Sequence, residues 1–363
     1  MRESSRGSVS RVYQAARRSW HCGHRRDTGR RSDAGVFCRG IAMSLRPLLC
    51  ACLSLAFAVC SPVASPAQAT TSHRVPMSLV GTHPRIDVRI DSVERPLSFV
   101  VDTAAGASVV DAALAERLGL IDTTRTMAPV HGAGGSVAGV RVTGSLDLSA
   151  GTFAWKAQLL AIDLSHIAEA DVPPIDGILG NDLLTRFDTR FDLPAGQLTL
   201  APAGSLSTGG RLDNALPGRA DALRRFPFVP AQLQDGDRTV EALAVVDSGA
   251  AQTVLNWPAA RALGLAEGDA RLRSRADGTR GLSNDAIPTW LYALPTLAID
   301  GHALPTTEIR ISALPVFATL GLDTRPALIL GVDALHEHRI DVLADAAAVC
   351  LRPSHGTIGR DTP

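Results

Sequence analysis

Cysteine is nearly missing from the body of this chain. Of the six in the sequence, Cys22, Cys38, Cys50, Cys52 and Cys60 all precede Ala69, which leaves Cys350 alone in the remainder. That remainder therefore has no disulfide framework, and at its length it can bury a sizeable core without one. Cys350, within Ala348-Val349-Cys350-Leu351, reads as a buried structural thiol. Aromatic residues make up only 4% of the chain and no basic stripe accompanies them, so tracking of a nucleic-acid backbone is excluded. The glycine-rich stretch Val130-His131-Gly132-Ala133-Gly134-Gly135 is not followed by Lys-Ser/Thr, which excludes a phosphate-binding loop. His336-Glu337-His338 lacks a third ligand at metal spacing and reads as an exposed helix end. No metal or cofactor is expected.

A long apolar run is missing too. Leu48 to Val59 is apolar but too short to span a bilayer comfortably. It follows Met43 and Arg46 and precedes the small residues Ala67-Gln68-Ala69, the order of a secretory signal peptide cleaved after Ala69. A retained anchor, or a lipid on Cys60, is the weaker alternative. Residues 1–42 carry ten arginines against three acids and are expected to be a non-native extension ahead of the leader at 43–69. Residues 70–363 hold 25 basic and 33 acidic residues, a net charge of −8. A soluble periplasmic or secreted protein without an integral membrane span is expected.

What the chain does have is a repeat. Val100-Val101-Asp102-Thr103-Ala104-Ala105 returns as Val245-Val246-Asp247-Ser248-Gly249-Ala250. The register holds through Val109-Val110 against Val254-Leu255 and through Leu118-Gly119-Leu120 against Leu263-Gly264-Leu265. Phe99-Val100-Val101 and Ala244-Val245-Val246 read as buried strands, each ending on an aspartate. A buried carboxylate must be met by hydrogen bonds or share its charge with a second group. The hydroxyl of Thr103 or Ser248, and close backbone N–H groups in the small residues after it, are expected to cradle each acid.

Two such acids facing one another would share a proton, because like charges about 3 Å apart cannot both ionise. One carboxyl is then a general acid and the other a general base. The charged member takes a proton from water while the neutral member protonates a peptide carbonyl.

Asp247-Ser248-Gly249-Ala250 resembles the Asp-Thr/Ser-Gly motif of the pepsin and retropepsin aspartic proteases, and Asp102-Thr103-Ala104-Ala105 nearly does. A second signature, an apolar pair followed by Gly, appears as Ile178-Leu179-Gly180-Asn181-Asp182 and again as Ile329-Leu330-Gly331-Val332-Asp333. The order is the same in both halves. The resemblance implies an all-β acid-protease fold, in which two similar β-barrel-like domains are related by a pseudo-twofold axis with the active cleft between them. It implies catalysis by Asp102 and Asp247 on a peptide or protein substrate, with Thr103, Ala104, Ala105, Ser248, Gly249 and Ala250 supporting the dyad. It also makes His131 to Gly135 a flap, although a plain flexible turn fits the glycines equally well. Both acids in one chain imply a monomer. Ala104 stands where the pattern has Gly, a substitution expected to strain the first loop. The alternative is a peptide-binding protein of the same fold with weak or no catalysis; hydrolysis of another amide remains open.

The domains are expected at 75–203 and 223–353, with a Gly-, Ser- and Pro-rich linker at 204–222 and a tail at 354–363. Asp111 is expected to cap a helix to Leu118, and Trp257-Pro258 to open another that ends before Gly264. Ala276 to Gly281 sits where a second flap would lie. Asp176, Asp182 and Asp333 read as turn or cap residues. Tyr292 is the sole tyrosine after the leader and lies far from the first flap, so the pepsin flap tyrosine has no counterpart.

Overall fold

The strand Leu97–Val101, almost wholly buried, runs antiparallel to His83–Ile90 on one side and parallel to Gly177–Leu179 on the other. Gly177–Leu179 pairs antiparallel with Val109–Asp111, which pairs parallel with Leu160–Ile162, itself antiparallel to Arg141–Val142. The second half repeats this order. Arg238–Val246 lies between Phe228–Asp235, antiparallel, and Ala327–Leu330, parallel. Ala327–Leu330 then pairs antiparallel with Val254–Leu255, which is parallel to Ile309–Ser312, which is antiparallel to Ile287–Tyr292. The fold is all-β, as expected, with only short helices between strands. This computed structural model describes residues 71–353, apart from 168–170, 207–210, 214, 216–224, 282, 284, 306 and 307. The expected extension, the leader and the tail at 354–363 lie outside the described residues.

Local signals explain the corresponding helices. The Asp111 carboxylate accepts from Leu114 N at 2.8 Å and starts Ala112–Arg117. Asn256 Oδ1 accepts from Ala259 N at 2.9 Å and starts Trp257–Ala262, with Pro258 in the first turn, where it costs no hydrogen bond. After each buried apolar pair and its glycine comes one turn of helix, Asn181–Leu184 in the first half and Val332–Leu335 in the second.

A further sheet joins the halves, which belong to one compact unit. Asp188–Asp192 pairs antiparallel with Gln197–Ala201 and with His338–Val342, and the latter pairs with Ala348–Pro353. Across that joint Arg190 Nε and Nη2 donate to the two oxygens of Asp341 at 2.7 and 2.8 Å, and Asp341 is only 1% exposed. Leu212–Asp213, inside the stretch expected to be linker, forms a short strand on the edge of Ala348–Pro353.

Phe99, Phe191, Phe228 and Phe317 are among the largest fully buried side chains, each contributing about 1.5–3 kcal/mol over exposure. Cys350 is buried and free. His338 corrects the reading of an exposed helix end: it is buried at the start of its strand, while His336 remains exposed after the helix. Among the described residues no helix is long and apolar enough to cross a membrane.

Candidate active site

Asp102 and Asp247 each follow the last residue of a buried strand, and the neighbouring parallel strand fixes the backbone of both. Asp102 N donates to Leu179 O and Asp247 N to Leu330 O, each at 3.0 Å. The chain then turns so that two N–H groups point back at one carboxylate oxygen. Ala104 N and Ala105 N donate to Asp102 Oδ1 at 2.7 and 2.9 Å; Gly249 N and Ala250 N donate to Asp247 Oδ1, both at 2.9 Å. The small residues thus cradle the acids through their backbone.

The hydroxyls do something else, and the expectation that they cradle the acids is corrected. Thr103 Oγ1 donates to Val246 O at 2.7 Å and accepts from Ser248 N at 3.0 Å. Ser248 Oγ donates to Val101 O at 2.8 Å and accepts from Thr103 N at 3.1 Å. Each hydroxyl therefore ties its own loop to the strand and loop of the other half. Four reciprocal, buried hydrogen bonds hold the two acids at a common point, and the carboxyls of Asp102 and Asp247 hydrogen-bond to one another.

Close packing there explains the glycine of the second loop. A methyl group on Gly249 would collide with the Asp102 carboxylate. Ala104, the residue expected to be strained, is not: its φ lies outside the left-handed region, and its methyl packs with Phe226 and Ala250 against the cluster containing Phe228, Val245 and Leu314.

The second signature supports the loops from below. Asn181 N donates to Ala105 O and Val332 N to Ala250 O, both at 2.8 Å. Gly180 N and Gly331 N donate to the hydroxyls of Ser108 and Thr253 at 3.0 and 3.2 Å, and those hydroxyls donate to Asp182 and Asp333 at 2.7 and 2.8 Å. Asp182 and Asp333 are thus structural, as expected, but they anchor the loop of the opposing strand rather than merely ending a turn. A hydroxyl directly before the apolar pair in both copies of the repeat was a readable signal of this. Asp176 accepts two hydrogen bonds from Arg95, at 2.8 and 2.9 Å, and one from Ser98 N.

Asp102 and Asp247 line a cavity of about 590 Å³. Val130–Gly132 and Gly135–Val137 form a two-stranded hairpin, and Val130, His131, Gly132 and Ala133 face the same cavity. The hairpin reaches the second half, where Val316 N donates to Ala133 O at 3.3 Å. The segment expected to be a second flap ends one strand of the hairpin Arg273–Thr279 and Ile287–Tyr292 and runs into its turn, and Arg275 and Asp277 to Gly281 also contribute to the wall. His166 of the first half meets Gly281 O at 2.8 Å. Sequence reasoning missed His166 and the basic residues of that wall.

Burial is the largest cause of shift for both acids and pushes both carboxyls up; the backbone donors pull in the opposite direction. Asp247 is pushed well above the usual range because the charge of Asp102 adds to burial. Two carboxyls this close cannot both ionise, so one proton is shared between them. By area both are half-buried, since the exposure they keep is toward the cavity. An ionised and a neutral carboxyl side by side can take and give a proton in one step.

Residues 86–183 match the family model of aspartyl proteases. The match covers Asp102, the first hairpin and the Gly180 signature, and it ends before Asp247. No curated protein matches the chain.

Proposed function

We propose that the protein is an aspartic endopeptidase in which Asp102 and Asp247 activate a water for attack on a peptide bond. One observation carries the reading: two buried acids, one from each repeat, share a hydrogen bond on the wall of a cavity that a hairpin overhangs. Asp102, the charged member, takes a proton from the water as it adds to the carbonyl carbon. Asp247 gives its proton to the carbonyl oxygen. As the tetrahedral diol collapses, the proton now on Asp102 passes to the departing nitrogen and Asp247 takes one back from a diol hydroxyl, so the pair regains its single proton and no covalent enzyme intermediate forms. The repeated strand order and the reciprocal Thr103–Ser248 bonds support a pseudo-twofold relation between domains at 75–203 and 223–353. Because the chain carries both acids, we read it as a monomer.

The test is cleavage of a mixed peptide pool by the purified protein from acid to neutral pH, read by mass spectrometry beside Asp247→Asn. Internal cuts by the native protein, slowed about a thousandfold or more in the variant, are expected. Cuts that persist in the variant, or a folded native protein that makes none, would overturn the reading; the second outcome favours a binding protein. We further propose export, on the leader-like order of residues 43–69 and the lone Cys350 after it. N-terminal sequencing of the secreted or periplasmic form should begin at Thr70.

A further inference from the structure

The two halves place different residues at one equivalent position beside the dyad. Leu160 pairs with Val109 on the parallel neighbour strand and donates its N–H to Ser108 O; Arg310 pairs with Val254 and donates its N–H to Thr253 O. Both line the cavity. Leu160 sits in an apolar wall that packs on Val109, Ile162 and Ile178. Arg310 is held from behind, Nε donating to Gln252 Oε1 at 2.6 Å and Nη1 to Thr279 Oγ1 at 3.2 Å. Among the described residues its Nη2 has no partner and no carboxylate pairs with it.

Two more guanidiniums line the same wall. Arg275 pairs with Asp277 at 2.7 Å, and among the described residues exposed Arg280 reaches only a backbone carbonyl, that of Asp277, at 3.4 Å. Three guanidiniums thus lie on this side of the cavity, with Asp277 paired to Arg275 and Asp333 acting on Arg310 from a distance. Burial first, and then the nearby Arg275, work against the charge on Arg310, and Asp277 and Asp333 offset them only in part, so a carboxylate entering the cavity would relieve a remaining cost as well as gain a charge-assisted hydrogen bond. A planar guanidinium pinned at two of its nitrogens offers the third at little loss of entropy.

We propose that Arg310, assisted by Arg275 and Arg280, forms a subsite for an acidic side chain of the peptide, across the dyad from an apolar subsite walled by Leu160. The proposal rests on the protease reading and deepens it: bonds flanked by an apolar residue on one side and Asp or Glu on the other are the preferred substrates.

The experiment has two arms. In the first, the native protein and its Arg310→Leu and Arg310→Lys variants cleave the same proteome-derived peptide pool, and the sequences around each cut are counted. The native protein should enrich Asp or Glu on one side of the cut. Arg310→Leu should lower the ratio of acidic to neutral sites by about tenfold or more, with Arg310→Lys in between. In the second arm, Asp247→Asn, alone and combined with Arg310→Leu, is titrated with a random octapeptide pool and with the same pool carrying Asn and Gln for Asp and Glu. Preference for the acidic pool, lost with Arg310, is expected. Cleavage without acidic enrichment, or an unchanged ratio in Arg310→Leu, overturns the subsite and leaves the protease reading intact. Absence of cleavage together with acid-selective binding does the reverse, and absence of both overturns the two together.

Discussion

Both backbone donors to Asp247 end on the same oxygen, Oδ1, and the third residue after the acid is an alanine. Burial therefore dominates, and both carboxyls titrate above the usual range. In the proposed mechanism activity needs one proton on the pair, so it fails at low pH when both are protonated and at high pH when both ionise. Raised values move this window upward. Ala250→Ser would put a hydroxyl next to the Asp247 cradle, and donation to the charged form lowers a pKa. The alkaline limb of kcat/KM, which follows loss of the Asp247 proton, should then shift to lower pH, by about 0.5 to 1 unit if one neutral hydrogen bond is gained. An unchanged profile would refute this account of the window. At this scale the two acids were legible, because each ends a buried apolar run and the run recurs. The hydroxyls of Thr103 and Ser248 were not: their partners lie 143 to 147 residues away, beyond any local pattern.

Those hydroxyls turn two separate turns into one rigid element. Thr103→Val removes a donor to Val246 O and an acceptor for Ser248 N, leaving both buried backbone groups unpaired. The loss should be about 2–4 kcal/mol of stability, with kcat falling further than KM changes as the carboxyls drift apart. Thr103→Ser keeps the hydroxyl and should recover most of both. Melting temperature and steady-state kinetics on the two variants check this; equal behaviour of Val and Ser would mean that the loop is held by packing. Strand readings at this scale were sound for the continuous buried runs Phe99-Val100-Val101 and Ala244-Val245-Val246. Sequence reasoning did not reach Ile309-Arg310-Ile311, whose alternation by itself would put Arg310 on a solvent face. That face is the cavity wall, which exists only after Arg273–Thr279 and the first hairpin fold over it.

The acids meet only if the halves keep one orientation, and the sheet formed by Asp188–Asp192 and His338–Val342 carries that constraint far from the loops. Charge patterning along either strand gave no hint that Arg190 and Asp341 face one another, because the register between strands so distant in sequence is set by the assembled fold. The Asp341 carboxylate is almost wholly buried and accepts both bonds from Arg190. Breaking a buried pair from one side is costlier than the pair is favourable, since the remaining charge keeps its desolvation penalty. Arg190, at 26% exposure, recovers part of that penalty from water. Asp341→Ala should therefore cost about 2–4 kcal/mol, and it should lower the urea midpoint while leaving the slope of the transition unchanged. Because the proposed dyad draws one acid from each half, activity should disappear at the same urea concentration as strand structure in both proteins. Loss of activity well before loss of circular dichroism in Asp341→Ala would mean that the halves separate while each remains folded. An unchanged midpoint would remove the ion pair from the forces that set their orientation.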